Sequence, residues 1–272
     1  MEKVVLIGRN IEHSHSPAIH NYLFDKYGLP LQYELLDLTR EEVVPTLRTL
    51  KRGGYRGANV TSPYKQTVVL ELDSVSDEAE TIGAVNTIVF DHGRGIGHNT
   101  DSHGFAWSLR GEPLLDGAFS AAVLGTGGAA MAAVFHLLRL TGLTTLTLYS
   151  RDRERAASVV RGWNDPRLRG RALDEFERAD IVVHATPVGM RGTPGQLLDR
   201  DQLRSVKLLY EMIYAPSETA LSRDAREAGA RVITGSQMLL GQAARAFELW
   251  TGIEIEPSDL PSGIFSEINN VL

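Results

Sequence analysis

The 272-residue sequence contains no cysteine. That excludes a structural disulfide and a thiolate-held zinc, and it fits a reducing compartment. Long apolar runs are missing too: none approaches the roughly 18 residues of a membrane-spanning helix. The opening MEKVVLIG is broken at once by Arg9 and Asn10, too early for a secretory leader, so a soluble cytoplasmic chain is expected. No block of one charge sign occurs. The net charge is −6, and arginines alternate with acids, as in Arg151-Asp152-Arg153-Glu154-Arg155, which points away from nucleic acid. Lysine is scarce, at five residues against 23 arginines, so the place of each one carries information. What remains is an ordinary globular composition, 43% hydrophobic and 23% charged, long enough for two domains with cores of their own.

Apolar stretches at 4–7, 33–38, 57–60 and 85–90 read as strands, with helices opening at Ser16-Pro17, spanning 41–50 and following Pro63. Asp91-His92-Gly93 marks a turn into a short strand that reaches Thr100. The polar run 110–117 reads as a hinge into a second unit. Its strands fall at 121–124, 145–149, 181–184, 208–212 and 231–233; one helix runs from GTGGAA through Leu140, and others fall at 152–160 and 218–228. A last amphipathic helix spans 238–250, where Met238, Leu239, Ala243, Phe247 and Trp250 form an apolar stripe and Gln242 is the polar exception. Alternating strands and helices predict an α/β fold with largely parallel sheets covered on both faces.

GTGGAA at 125–130 follows a predicted strand and opens a predicted helix, the context in which such a glycine loop binds a dinucleotide. Gly125 makes the tight turn, Gly127 admits a pyrophosphate to the backbone, and Ala130 is small enough for helix and strand to pack closely. Amides at the helix start hold the phosphates. At the end of the next strand, Arg151 suits a 2′-phosphate and Arg155 follows one helical turn on, which favours NADP. Asp152 in the same run would repel that phosphate or accept from a free ribose hydroxyl, so NAD stays open.

Small hydroxyl and amide residues gather in four further clusters, EHSHSPAIHN at 12–21, GANVTSPYK at 57–65, IGAVNT at 82–87 and GHNTDSHG at 97–104. Ser14, Ser16, Asn59, Thr61, Asn86, Thr100 and Asp101 suit a small polyhydroxylated ligand, and Lys65 joins them. A carbonyl that accepts hydride needs a proton donor at its oxygen, and Lys65 held by Asp101 meets that need. The eight histidines suggest no metal: His13, His15 and His20 have no acid at ligand spacing.

In order, HSxSPxxHN, GxNVTxPxK, GAVNT, NTDxxG, GxGGAA and the closing MLLGQAARAFELWTG resemble the shikimate dehydrogenase family over nearly the whole chain. The resemblance implies two α/β domains separated by a cleft: a substrate domain of residues 1–101 and 237–272, and an NADP-binding Rossmann domain of residues 102–236. It implies reversible hydride transfer between shikimate and 3-dehydroshikimate on the route to aromatic amino acids. Lys65 and Asp101 match the catalytic pair. Ser14, Ser16, Asn59, Thr61, Asn86, Tyr214 and Gln242 match substrate positions. Gly125, Thr126, Gly127, Gly128, Ala129, Ser150, Arg151, Asp152, Arg155, Met212, Gly235 and Met238 match cofactor positions. The chain departs from the family pattern at Asn10, Met131, His184 and Glu211, the last two standing for asparagine and aspartate. Alternatives are a quinate or aminoshikimate dehydrogenase using NAD or NADP, and a dinucleotide-binding sensor without turnover. A monomer or homodimer is expected.

Overall fold

A computed structural model describes residues 2–256 and 259–260. The segment 261–272, which the sequence assigns to the substrate domain, lies outside the described residues. The chain forms two compact units, one from residues up to Gly104 together with those from Leu240 onward, the other from Phe105–Leu239.

In the first unit, β1 (Glu2–Gly8), α1 (Ser16–Lys26), β2 (Leu31–Asp37), α2 (Arg40–Arg52), β3 (Tyr55–Val60), β4 (Ser74–Val75), α3 (Asp77–Ile82), β5 (Thr87–Asp91) and β6 (Arg94–His98) follow one another. They give a six-stranded sheet in the order β2-β1-β3-β5-β6-β4. β1 runs parallel to β2 and β3, as alternating strands and helices require, while the turn at 91–93 folds β5 and β6 into an antiparallel hairpin. Val5, Ile7, Ala58 and Ile88 pack with Val43, Leu47 and Leu50, which share one face of α2. Val4 and Leu6 point the other way and are buried as well, so both faces are covered. α2 starts on a capping box in which Glu42 accepts from the Thr39 amide at 2.7 Å.

The helix expected after Pro63 is only a 3₁₀ turn, Thr67–Glu71. The Lys65 carbonyl accepts from the Val85 amide at 2.8 Å and is lost to a helix there, and Thr67, Val68 and Val69 are β-branched.

α4 (Thr100–Ser108) leads into the second unit, which contains β7 (Phe119–Leu124), α5 (Gly128–Leu137), β8 (Leu143–Ser150), α6 (Arg153–Arg161), β9 (Leu168–Ala172), β10 (Ile181–His184), α7 (Arg200–Leu203), β11 (Leu208–Glu211), α8 (Ala220–Glu227) and β12 (Arg231–Thr234). All strand pairs are parallel, in the order β12-β11-β10-β7-β8-β9. The order reverses between β7 and β10, the switch point of a doubly wound sheet. α9 (Gly235–Thr251) then carries the chain back to the first unit at Leu240. There the Trp250 indole donates to the Ile88 carbonyl at 3.0 Å. A Cβ on Gly57 would stand 2.2 Å from that indole nitrogen, so only glycine lets the ring seat beside β3.

Candidate active site

The carboxyl ends of β1, β3 and β6 and the start of β5 meet at one edge of the first sheet, because β5 is antiparallel to both of its neighbours. Asn59 on β3 is level with Thr87 on β5, and Thr87 with His98 on β6. Every polar cluster read from the first unit's sequence hangs from this edge. Lys65, in the loop after β3, donates to Asp101 Oδ2 at 2.5 Å, with side chains 15% and 7% exposed. Asp101 Oδ1 accepts from Asn86 Nδ2 at 2.9 Å. Both oxygens of the buried carboxylate therefore have partners, as a buried charge requires.

The two asparagines brace the pair. Asn86 gives its amide hydrogens to Thr100 Oγ1 and Asp101, and its oxygen accepts from the Thr100 amide at 2.6 Å. Asn59 gives its own to the Asn86 carbonyl at 3.1 Å and Thr87 Oγ1 at 3.0 Å. With these donors used, both side chains have only acceptor capacity left. Asn59 Oδ1 in turn accepts from the Tyr33 phenol at 2.7 Å. Tyr33 is 2% exposed, and burial pushes its phenol far up. Ser14 Oγ accepts from the Ser16 amide at 3.3 Å, and half-buried Thr61 directly follows the end of β3. Sequence reasoning missed Tyr33, a polar-tipped aromatic within a strand that carries no motif, and gave no role to Thr87, although that residue closes the IGAVNT cluster.

Of the remaining expected substrate residues, Gln242 is buried on α9 in the first unit. Tyr214 belongs to the second unit, after β11, where burial pushes its phenol up.

In the second unit the glycine loop joins β7 to α5. Gly125 has φ +119°, and a Cβ there would stand 2.7 Å from the Ala185 carbonyl oxygen. Gly127 caps α5 without a side chain, and a Cβ there would meet nothing within 4 Å. Open space before the first-turn amides of a helix is what a pyrophosphate requires, and these residues fit a dinucleotide. At the end of β8, Asp152 Oδ1 accepts from the Glu154 and Arg155 amides at 2.9 and 3.2 Å, capping α6. All three arginines of the run are exposed; Arg153 is paired to Glu175 and Arg155 donates to Thr126 Oγ1 at 2.8 Å on the glycine loop, so among the described residues Arg151 is the guanidinium of the run not engaged by a side chain. Thr126 lies in the glycine loop, Gly128 and Ala129 open α5, and Ser150 ends β8. Met212 follows β11, while Gly235 and Met238 open α9.

A family model for the shikimate dehydrogenase substrate binding domain matches residues 6–88, and one for the shikimate 5′-dehydrogenase C-terminal domain matches residues 235–257. Shikimate dehydrogenase (NADP(+)) from Chlorobium phaeovibrioides is 38% identical, over 97% of this chain and 95% of its own. Shikimate 5-dehydrogenase from Thermus thermophilus, solved in complex with NADP(H) and shikimate, has a TM-score of 0.87 at 34% identity, with 100% of both chains covered. Quinate dehydrogenase from Corynebacterium glutamicum, solved in complex with NAD, has a TM-score of 0.85 at 31% identity, covering 100% of this chain and 99% of that one. The chain belongs to the shikimate dehydrogenase family.

Proposed function

We propose that this chain is an oxidoreductase that interconverts shikimate and 3-dehydroshikimate with NADP, a step toward aromatic amino acids, in the cytoplasm. The observation that carries the reading is the Lys65–Asp101 pair, closed to 2.5 Å and braced by Asn86. When bound, NADP supplies or takes up the hydride. The side chains manage the proton and the pose. As the substrate carbonyl oxygen gains negative charge, the Lys65 ammonium donates to it; in the reverse direction neutral Lys65 takes the hydroxyl proton. Asp101 aims the ammonium and offsets its charge. The Ser14 and Ser16 hydroxyls suit the substrate carboxylate, and Asn59, Thr61 and Asn86 its ring hydroxyls, with Tyr214 and Gln242 completing the set by family correspondence.

In the second unit, the Gly125–Gly128 backbone and the α5 amides would hold the pyrophosphate, and Arg151 the 2′-phosphate. Asp152 is engaged in its helix cap, so it leaves the charge of Arg151 largely unopposed, which supports NADP over NAD. The likeness to a quinate dehydrogenase in complex with NAD favours that pair as the second reading.

The Lys65→Ala variant tests the assignment. Its turnover is expected to fall about 100-fold or more while its Kd for NADPH stays within about twofold of the unaltered chain; near-normal turnover would remove Lys65 from the mechanism.

A further inference from the structure

His184 and Glu211 end β10 and β11 and are register partners across that parallel pair. Their side chains are 1% and 2% exposed. His184 Nδ1 lies 2.8 and 3.0 Å from the two oxygens of Glu211. The same carboxylate accepts from the Ile213 amide at 3.1 Å and the Thr219 hydroxyl at 2.7 Å. Three donors converge on the acid, so Nδ1 carries a proton toward it, and Nε2 is left facing the Thr186 hydroxyl at 2.7 Å. An acid–imidazole–hydroxyl chain thus runs from the inside of the unit to a half-buried threonine.

Where that threonine stands gives the chain its use. Thr186 follows β10 by two residues, and its methyl group would be 3.1 Å from a Cβ on Gly125, so it packs directly on the glycine loop at the switch point of the sheet. The run 150–155 after β8 lies in the half of the sheet that takes the adenosine, which leaves the ends of β10 and β11 to the other half. Thr186 Oγ1 also accepts from the Val188 amide at 3.2 Å. With its proton given to Nε2 and one lone pair given to Val188, the hydroxyl has a single acceptor direction left.

We propose that His184 and Glu211 are positioning residues for the nicotinamide-bearing half of the cofactor, acting through Thr186, whose oxygen they hold ready to accept from a carboxamide N–H. This rests on the dinucleotide reading above. Burying such a chain is unfavourable compared with an apolar strand end of the same volume, and its outlet at the switch point supplies the compensating role.

Titrations of the full chain with NADPH and with adenosine 2′,5′-bisphosphate, which lacks the nicotinamide, separate the possibilities. Thr186→Val keeps the shape of the side chain, and His184→Leu removes both ring nitrogens from the strand end. In both, NADPH binding is expected to weaken about tenfold and the KM for NADPH to rise, with adenosine bisphosphate binding and the KM for shikimate within about twofold. Glu211→Gln should behave alike where it folds, and Thr186→Val decides the matter where it does not. Equal weakening of both ligands, or NADPH binding unchanged, overturns the proposal. An unaltered chain that binds neither compound overturns the dinucleotide reading itself.

Discussion

Lys65 and Asp101 stand 36 positions apart in the chain and meet because the β5–β6 hairpin returns the backbone to the edge where β3 ends. Tyr33 extends the same network away from the ligand. Removing its hydroxyl in Tyr33→Phe leaves the ring in place and the Asn59 oxygen without its donor. The KM for shikimate should rise about 3- to 10-fold with the KM for NADP unchanged, and an unaltered shikimate KM would detach Tyr33 from the site. His20 stacks on that ring, centroids 4.6 Å apart, fully buried and with neither ring nitrogen hydrogen-bonded among the described residues. Burial lowers its pKa from 6.5 to about 3. The unfolded chain takes up a proton below pH 6.5 that the folded chain refuses until about pH 3, so folding stability falls as pH drops through that window. Between pH 7 and 5 the chain should lose about 2 kcal/mol more than His20→Phe does; parallel denaturation midpoints at the two pH values would contradict this.

At the scale of the element, α9 binds the first unit together from the far end of the chain. Phe247 stacks on Phe24 at 5.9 Å, and Trp250 reaches the Ile88 carbonyl over Gly57. Trp250→Ala leaves a cavity and an unpaired buried carbonyl, at a cost of about 3–5 kcal/mol in denaturant unfolding; a change below about 1 kcal/mol would show that the helix does not depend on this anchor. The apolar stripe of α9 was readable from its 3.6-residue spacing, and the strand ends were readable because each needs residue types that a bare turn does not. β9 was not. Its Leu168-Arg169-Gly170-Arg171-Ala172 run is an edge strand with arginines on it, which lacks the apolar alternation that marks a strand, and Gly170 is set by the approach of the Ala156 backbone of α6. The role of Asp152 as a helix cap was likewise hidden, since a carboxylate before a helix reads equally as a ribose acceptor. His184 and Glu211 were visible as polar residues ending two apolar strands, IVVH and LLYE, but their meeting depends on strand order.

For the whole molecule, the two sheets carry different chemistry: one gathers hydroxyls, amides and a buried ammonium–carboxylate pair, the other a glycine loop and an exposed guanidinium. The first set suits a small polyhydroxylated acid and the second a phosphorylated dinucleotide. No helix among the described residues is long and apolar enough to cross a membrane. Substrate choice turns on how one ring hydroxyl is received, and cofactor choice on one phosphate beside Arg151. Initial rates with shikimate and with quinate, each with NADP and with NAD, test both at once. Shikimate with NADP should give the highest kcat/KM, at least about tenfold above shikimate with NAD; a maximum for quinate with NAD, or no oxidation of either acid by either cofactor, would contradict the account.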